Sequence, residues 1–245
     1  MTNTFPLSRK GRPWSVELIV FASILLLLVI GTYSRNNLWK DEVDLWLDCV
    51  KKSPNKSRPY VNLSYAYINA GAYDRAIEAS QKAIEIDPKS AHGYHNLGVI
   101  FEKRGELDKA IEMTKKSLVL DPTLHMALHS LGKMYFEKGQ YQESVETFRK
   151  FLEIYPYFPE VHNVLAIIYA GQKQFDKAIV ELEQEVRINP YNALAHLNLG
   201  QIYWNEFRNR QKAIQHFKIA LLLDPLLPRR EEIRNLVRQL EGSTG

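Results

Sequence analysis

The chain has 245 residues, 45% hydrophobic and 24% charged, a balance that suits one or two folded domains. Its net charge is +4, but Arg9, Lys10 and Arg12 lie in an N-terminal stretch without an acid, and setting them aside leaves 29 basic against 28 acidic residues. A body so near neutral has no broad basic field, which argues against nucleic acid as a partner. The single cysteine, Cys49, excludes an intrachain disulfide.

Taken in chain order, residues 1–13 form a basic tail. Residues 14–33, WSVELIVFASILLLLVIGTY, follow with Glu17 as their one charge. As a helix at 1.5 Å per residue this run spans about 30 Å, the depth of a bilayer core, and Trp14 and Tyr33 stand where interfacial aromatics would lie. The expectation is a transmembrane helix acting as a signal anchor. The basic tail then lies in the cytoplasm and the rest of the chain outside it. A cleaved signal peptide is the competing reading, against which stands the lack of an A-x-A site.

Residues 34–56 hold LWKDEVDLWLDCVKKSP, a helix closed by Pro54. Beyond it the sequence repeats. Pro88, Pro122, Pro156 and Pro190 fall 34 residues apart, and Pro225 follows after 35. A proline stops a helix because it lacks the N–H and its ring clashes with the preceding turn. Aligned on the prolines, the seventh column reads Leu63, Leu97, Leu131, Leu165, Leu199, and the eighth reads Ser64, Gly98, Gly132, Ala166, Gly200. The eleventh is aromatic (Tyr67, Phe101, Tyr135, Tyr169, Tyr203). The twentieth is small (Ala76, Ala110, Ser144, Ala178, then Ala213 after a one-residue insertion). Small residues in the eighth column let two helices approach; leucine and aromatic, four apart, share one face and fill the seam. Ordering some 34 residues costs on the order of 35–70 kcal/mol of backbone entropy, which one helical hairpin cannot offset, so the units must stack.

This period and these columns resemble the tetratricopeptide repeat. The resemblance implies an all-α fold: a right-handed superhelical solenoid of five full repeats over residues 57–226. On the same alignment Trp46 and Cys49 fall on packing columns, so residues 39–51 read as a second helix without a first. This N-terminal half repeat caps the array and ties it to the apolar segment. Residues 227–245 supply a C-terminal capping helix, with Ile233, Leu236, Val237 and Leu240 on one face, and a frayed tail. Residues 35–67 also resemble the junction between the last membrane helix and the repeats in mannosyltransferase-like polytopic membrane proteins.

No phosphate loop, nucleophile elbow or zinc-type cysteine pattern is present, so no enzyme, cofactor or small-molecule substrate is expected. Cys49 reads as a packing residue. In the resembled family the second, fifth, ninth, twelfth and thirteenth positions of each first helix line a concave groove. The groove set expected here is Arg58, Val61, Tyr65 and Asn69; His92, His95, Asn96 and Glu102; Met126, His129 and Lys133; Glu160, Asn163 and Ile167; and Leu197, Gln201 and Trp204. The pairs His92/His95 and His125/His129 sit one turn apart, a spacing that can share an ion, but no carboxylate or cysteine obviously converges and no metal is expected. The paired fifth and ninth positions never read lysine and asparagine, so the two-carboxylate clamp of some relatives is not expected. The groove's apolar anchors and amides suit a protein or peptide segment. The expected function is therefore a membrane-anchored scaffold or adaptor; the alternative is an accessory subunit or detached module of a membrane glycosyltransferase system.

Overall fold

The computed structural model describes residues 16–38, 41–227 and 229–242. The basic tail, Trp14 and Trp39 lie outside them. Among the described residues every regular element is an α-helix. Two compact units divide the chain, Met1–Ile86 and Asp87–Gly245. The first holds α1 (Val16–Leu38), α2 (Glu42–Lys52), α3 (Ser57–Asn69) and α4 (Tyr73–Ile86). The second holds α5 (Ala91–Lys103), α6 (Leu107–Leu120), α7 (His125–Glu137), α8 (Tyr141–Ile154), α9 (Pro159–Gly171), α10 (Phe175–Ile188), α11 (Ala193–Asn205), α12 (Arg210–Leu223) and α13 (Arg230–Gly242). Helices α3/α4, α5/α6, α7/α8, α9/α10 and α11/α12 pack as hairpins.

The helices begin and end on local signals. Ser90, Asn192 and Asn209 accept from backbone N–H groups of Gly93, Ala195 and Lys212, supplying partners for donors that a helix start leaves orphaned. Pro159 opens α9, where its missing N–H costs nothing. The turns inside the hairpins need a left-handed residue: Gly71, Gly105 and Gly139 supply φ of 71°, 77° and 72°, while Lys173 (59°) and Arg208 (52°) do the same without glycine's freedom.

Packing within each hairpin follows the small columns. Ala76, Ala110, Ser144, Ala178 and Ala213 are completely buried. A Cβ on Gly132 would lie 2.6 Å from Cε1 of Phe148, and one on Gly200 2.5 Å from Cδ1 of Phe217, so glycine there is what lets the rings seat. Where serine replaces the small apolar residue its hydroxyl is bonded across the same seam. Ser64 Oγ donates to the Ala76 carbonyl at 3.0 Å, and Ser144 Oγ donates to that of Gly132 at 2.8 Å. The aromatic column is roofed by cations. Arg75 covers Tyr67, Lys109 covers Phe101, Lys115 covers Tyr135, Lys177 and Arg149 cover Tyr169, and Lys212 covers Tyr203, at 4.6–6.0 Å from the ring centroids. Each such contact contributes about 0.5–1 kcal/mol at an exposed site. In the second unit the main core gathers Phe148, Phe151, Leu165, Leu182, Leu199 and Phe217, and α13 closes onto it with Ile233 and Val237.

In the first unit α2 packs against α3. Asp41 caps its start, Asn69 Nδ2 donates to Glu42 Oε2 at 3.3 Å, and the residues from Leu45 to Val50 are all half-buried. Trp46→Ala is therefore expected to lower stability by about 2 kcal/mol, below the 3–5 kcal/mol of a fully buried aromatic. A denaturant midpoint unchanged by the substitution would remove the capping role of α2.

The structure corrects the membrane expectation. Among the described residues no helix is long and apolar enough to cross a membrane. Helix α1, Val16–Leu38, carries its apolar run on into Ser34, Arg35, Asn36 and Asn37, residue types that a bilayer core disfavours. The transmembrane helix, the signal anchor, the membrane contact through residues 14–33 and the extracytoplasmic placement of the repeats fall together.

Candidate partner-binding face

The first helix of each hairpin carries the sequence-predicted groove residues. In the first unit Arg58, Tyr65 and Asn69 are exposed on α3 and Val61 is half-buried; Asn69 is engaged by Glu42. In the second unit His92, Met126, Glu160, Ile167 and Gln201 are exposed, and Glu102, His129, Lys133, Asn163 and Trp204 are half-buried. His95, Asn96 and Leu197 are buried, at 6%, 5% and 7% exposure, so they form the floor of this face rather than its open surface.

Two cavities lie on that face. The larger, about 660 Å³, is walled by Leu194, Leu197, Gln201 and Trp204 of α11, Phe217 of α12, and Ile233 and Leu236 of α13, with Arg229 and Glu232 also lining it. The smaller, about 180 Å³, lies between Ile167 and Ala170 of α9 and Asn198 and Gln201 of α11, over Leu182. Gln201 belongs to both. Four residues named from the sequence (Ile167, Leu197, Gln201 and Trp204) thus converge on one continuous feature. Sequence reasoning missed Leu194, 52% exposed, although it stands in the same second-position column as Glu160. It also missed the α13 wall, whose apolar stripe was assigned to capping alone.

The histidines divide into three environments. His95 is pushed down to about 4, by burial first and by neighbouring His92 and His125 second. His129 packs its ring against Phe151 and Phe158 with centroids at 5.6 and 5.3 Å, and burial lowers its pKa, opposed in part by Glu160. These two rings are neutral at pH 7. Among the described residues no group of three or more His, Cys, Asp or Glu side chains is placed to hold a metal ion.

A second, buried constellation was not anticipated. His162 Nδ1 donates to Glu181 Oε2 at 2.7 Å, and its Nε2 donates to the Pro156 carbonyl at 3.1 Å. Both partners are acceptors, so the ring carries both protons. Arg149 Nη2 reaches the other Glu181 oxygen at 2.5 Å. Burial alone would lower the His162 pKa; the Glu181 hydrogen bond, the Pro156 carbonyl and the carboxylate charge outweigh it and raise the pKa above its ordinary 6.5. One repeat on, His196 sits in the same column and donates Nε2 to the Pro190 carbonyl at 3.2 Å. Its Nδ1 meets Nδ1 of His216 at 3.0 Å. Burial first and His196 second push His216 down to about 4, and burial lowers His196, so this pair is neutral at pH 7.

Paired helices recurring at one period, with their first helices presenting a cleft, define a helical-repeat protein. The chain belongs to the tetratricopeptide-repeat proteins: a TPR repeat model matches residues 65–105, and tetratricopeptide repeat models match 94–125 and 125–158. No curated protein matches it. Among solved structures it is similar to YrrB, described as a TPR protein with an unusual peptide-binding site, at 19% identity and a TM-score of 0.67, over 78% of this chain and 97% of YrrB. It is also similar to MamA at 26% identity and a TM-score of 0.60, over 71% of this chain and 97% of MamA. A MamA fragment, 41-end, from Desulfovibrio magneticus RS-1 gives 20% identity and a TM-score of 0.61, over 68% and 94% of the two chains.

Proposed function

We propose that this chain is an adaptor that binds a segment of another protein on the face formed by the first helices of its second unit, with α2 covering the first hairpin of the first unit and α13 the last hairpin of the second, and with no covalent chemistry. The observation that carries the reading is the 660 Å³ cavity, whose lining includes Leu197, Gln201 and Trp204 and which shares Gln201 with the smaller cavity beside Ile167. Its size and mixture of aromatic, aliphatic and amide groups match what partner anchors use. YrrB, of the same fold, is described as having a peptide-binding site.

The test is site-specific photo-crosslinking in cell extract. A probe replaces Gln201, and a control probe replaces Lys150, which is exposed on α8 and lines neither cavity. One dominant adduct is expected at position 201 alone, and Trp204→Ala should reduce it at least tenfold. Equal adducts from both positions, insensitive to Trp204→Ala, would reject the adaptor face.

A further inference from the structure

The face of the second unit is chemically uneven, and that unevenness narrows its ligand. Glu160, at the start of α9, has a side chain 58% exposed. Its ionic contact is His129 Nε2 at 3.9 Å. That ring is packed among Phe148, Phe151 and Phe158, and burial keeps it uncharged at neutral pH. Lys133, further along α7, acts on Glu102 and also helps hold His129 neutral. His129 therefore does not neutralise Glu160, whereas the other charges of the face stand in opposite-sign pairs, Lys133 with Glu102 and Arg229 with Glu232. An acidic segment is repelled here and a basic one is favoured.

The apolar anchor site has a fixed relation to that charge. Glu160 and Leu194 occupy the same position in successive repeats, on α9 and α11, and these helices share the smaller cavity. Side-by-side helices have axes about 8–10 Å apart. An extended chain advances about 3.3 Å per residue, so three residues bridge the distance from Glu160 to the cavity walled by Leu194, Trp204, Ile233 and Leu236. Those four side chains offer an apolar seat, and the charged residues that also line the cavity, Arg229 and Glu232, are paired with each other.

We infer that the ligand is an extended basic–apolar segment, in which a lysine or arginine pairs with Glu160 and a bulky apolar or aromatic residue three positions away fills the α11–α13 cavity. This rests on the adaptor reading above and specifies the occupant of the same face. The Glu160 carboxylate sets the sign of the charge, the spacing of neighbouring helices sets a separation of about three residues, and acidic tails are disfavoured.

The experiment is selection of displayed random ten-residue peptides on the full chain, followed by fluorescence anisotropy of the best synthetic peptide with blocked termini. Enriched sequences are expected to hold Lys or Arg three residues from Trp, Phe or Leu. Glu160→Lys should weaken the peptide at least tenfold, and exchanging the peptide's cation for glutamate should restore most of that loss. Glu160 is exposed and the other change is in the peptide, so the fold is not at stake. Enriched peptides without a basic preference, or an affinity unmoved by Glu160→Lys but lost in Trp204→Ala, would overturn the basic–apolar ligand and leave the adaptor face standing. Peptides whose binding ignores Trp204→Ala and Ile167→Lys as well would overturn both.

Discussion

Glu181→Ala is expected to destabilise the second unit by about 1–3 kcal/mol, the cost of leaving the buried His162 N–H without its acceptor. Glu181 is 2% exposed and holds two cations at once, His162 at 2.7 Å and Arg149 at 2.5 Å. Arg149 is half exposed and can turn to water; His162 cannot, and will shed a proton instead. The distinguishing readout is therefore the titration of the His162 ring by NMR. In the native protein it titrates above 6.5; in Glu181→Ala burial, the Pro156 carbonyl and the charge of Glu185 remain, and without the Glu181 bond and charge it should titrate lower. An unchanged His162 titration would reject the pairing. The sign for pH follows directly. A raised histidine pKa contributes stability that is complete below 6.5 and is lost as pH rises through the folded value. His95 and His216 act in the opposite sense: held at about 4 in the fold, they contribute stability that is complete above 6.5 and is lost as pH falls from 6.5 towards 4. Native stability should peak near neutral pH and fall on both sides, with the acid limb set by His95 and His216 and the alkaline limb by His162.

The second large effect is expected at Phe148. Its ring is completely buried and faces the flat surface that Gly132 leaves open. Phe148→Ala should cost about 3–5 kcal/mol through lost transfer energy and a residual cavity. Gly132→Ala should cost about 1–3 kcal/mol, because the new methyl meets the ring at 2.6 Å unless the helices part. The two changes act on one space. In the double variant the methyl occupies room vacated by the ring, so the combined loss should be smaller than the sum by about 0.5–3 kcal/mol. Denaturant unfolding of the three variants measures this coupling. Strict additivity would show that the glycine serves backbone geometry rather than the ring.

How much of this could be read from the residues depends on what kind of order each feature has. The hairpins were legible because packing recurs with the period: glycine opposite Phe148 and again opposite Phe217, alanine or serine at every buried twentieth position. The face was legible in part for the same reason, since Ile167, Gln201 and Trp204 fall on periodic columns. His95 and Asn96 sit on or beside those columns too, yet both are buried; a column fixes the direction of a side chain along its own helix but not how closely the next helix covers it. The His162–Glu181–Arg149 cluster is aperiodic. It joins residues 19 and 32 apart through one buried carboxylate, and nothing in an apolar pattern announces a partner for a lone histidine. The division after Ile86 was equally silent, because the proline column runs through Pro88 without a break.

The turn residues carry a consequence of another kind. Three hairpins close on glycine, whereas those of α9/α10 and α11/α12 close on Lys173 and Arg208 in the left-handed region. A side chain held there stores roughly 1–2 kcal/mol that glycine would not. The two hairpins that frame the cavities are therefore the ones whose loops hold tension, like a clasp kept slightly sprung. A segment lying across α9 and α11 would bear on that tension directly, and part of its binding energy would appear as a stiffer repeat rather than as a tighter contact.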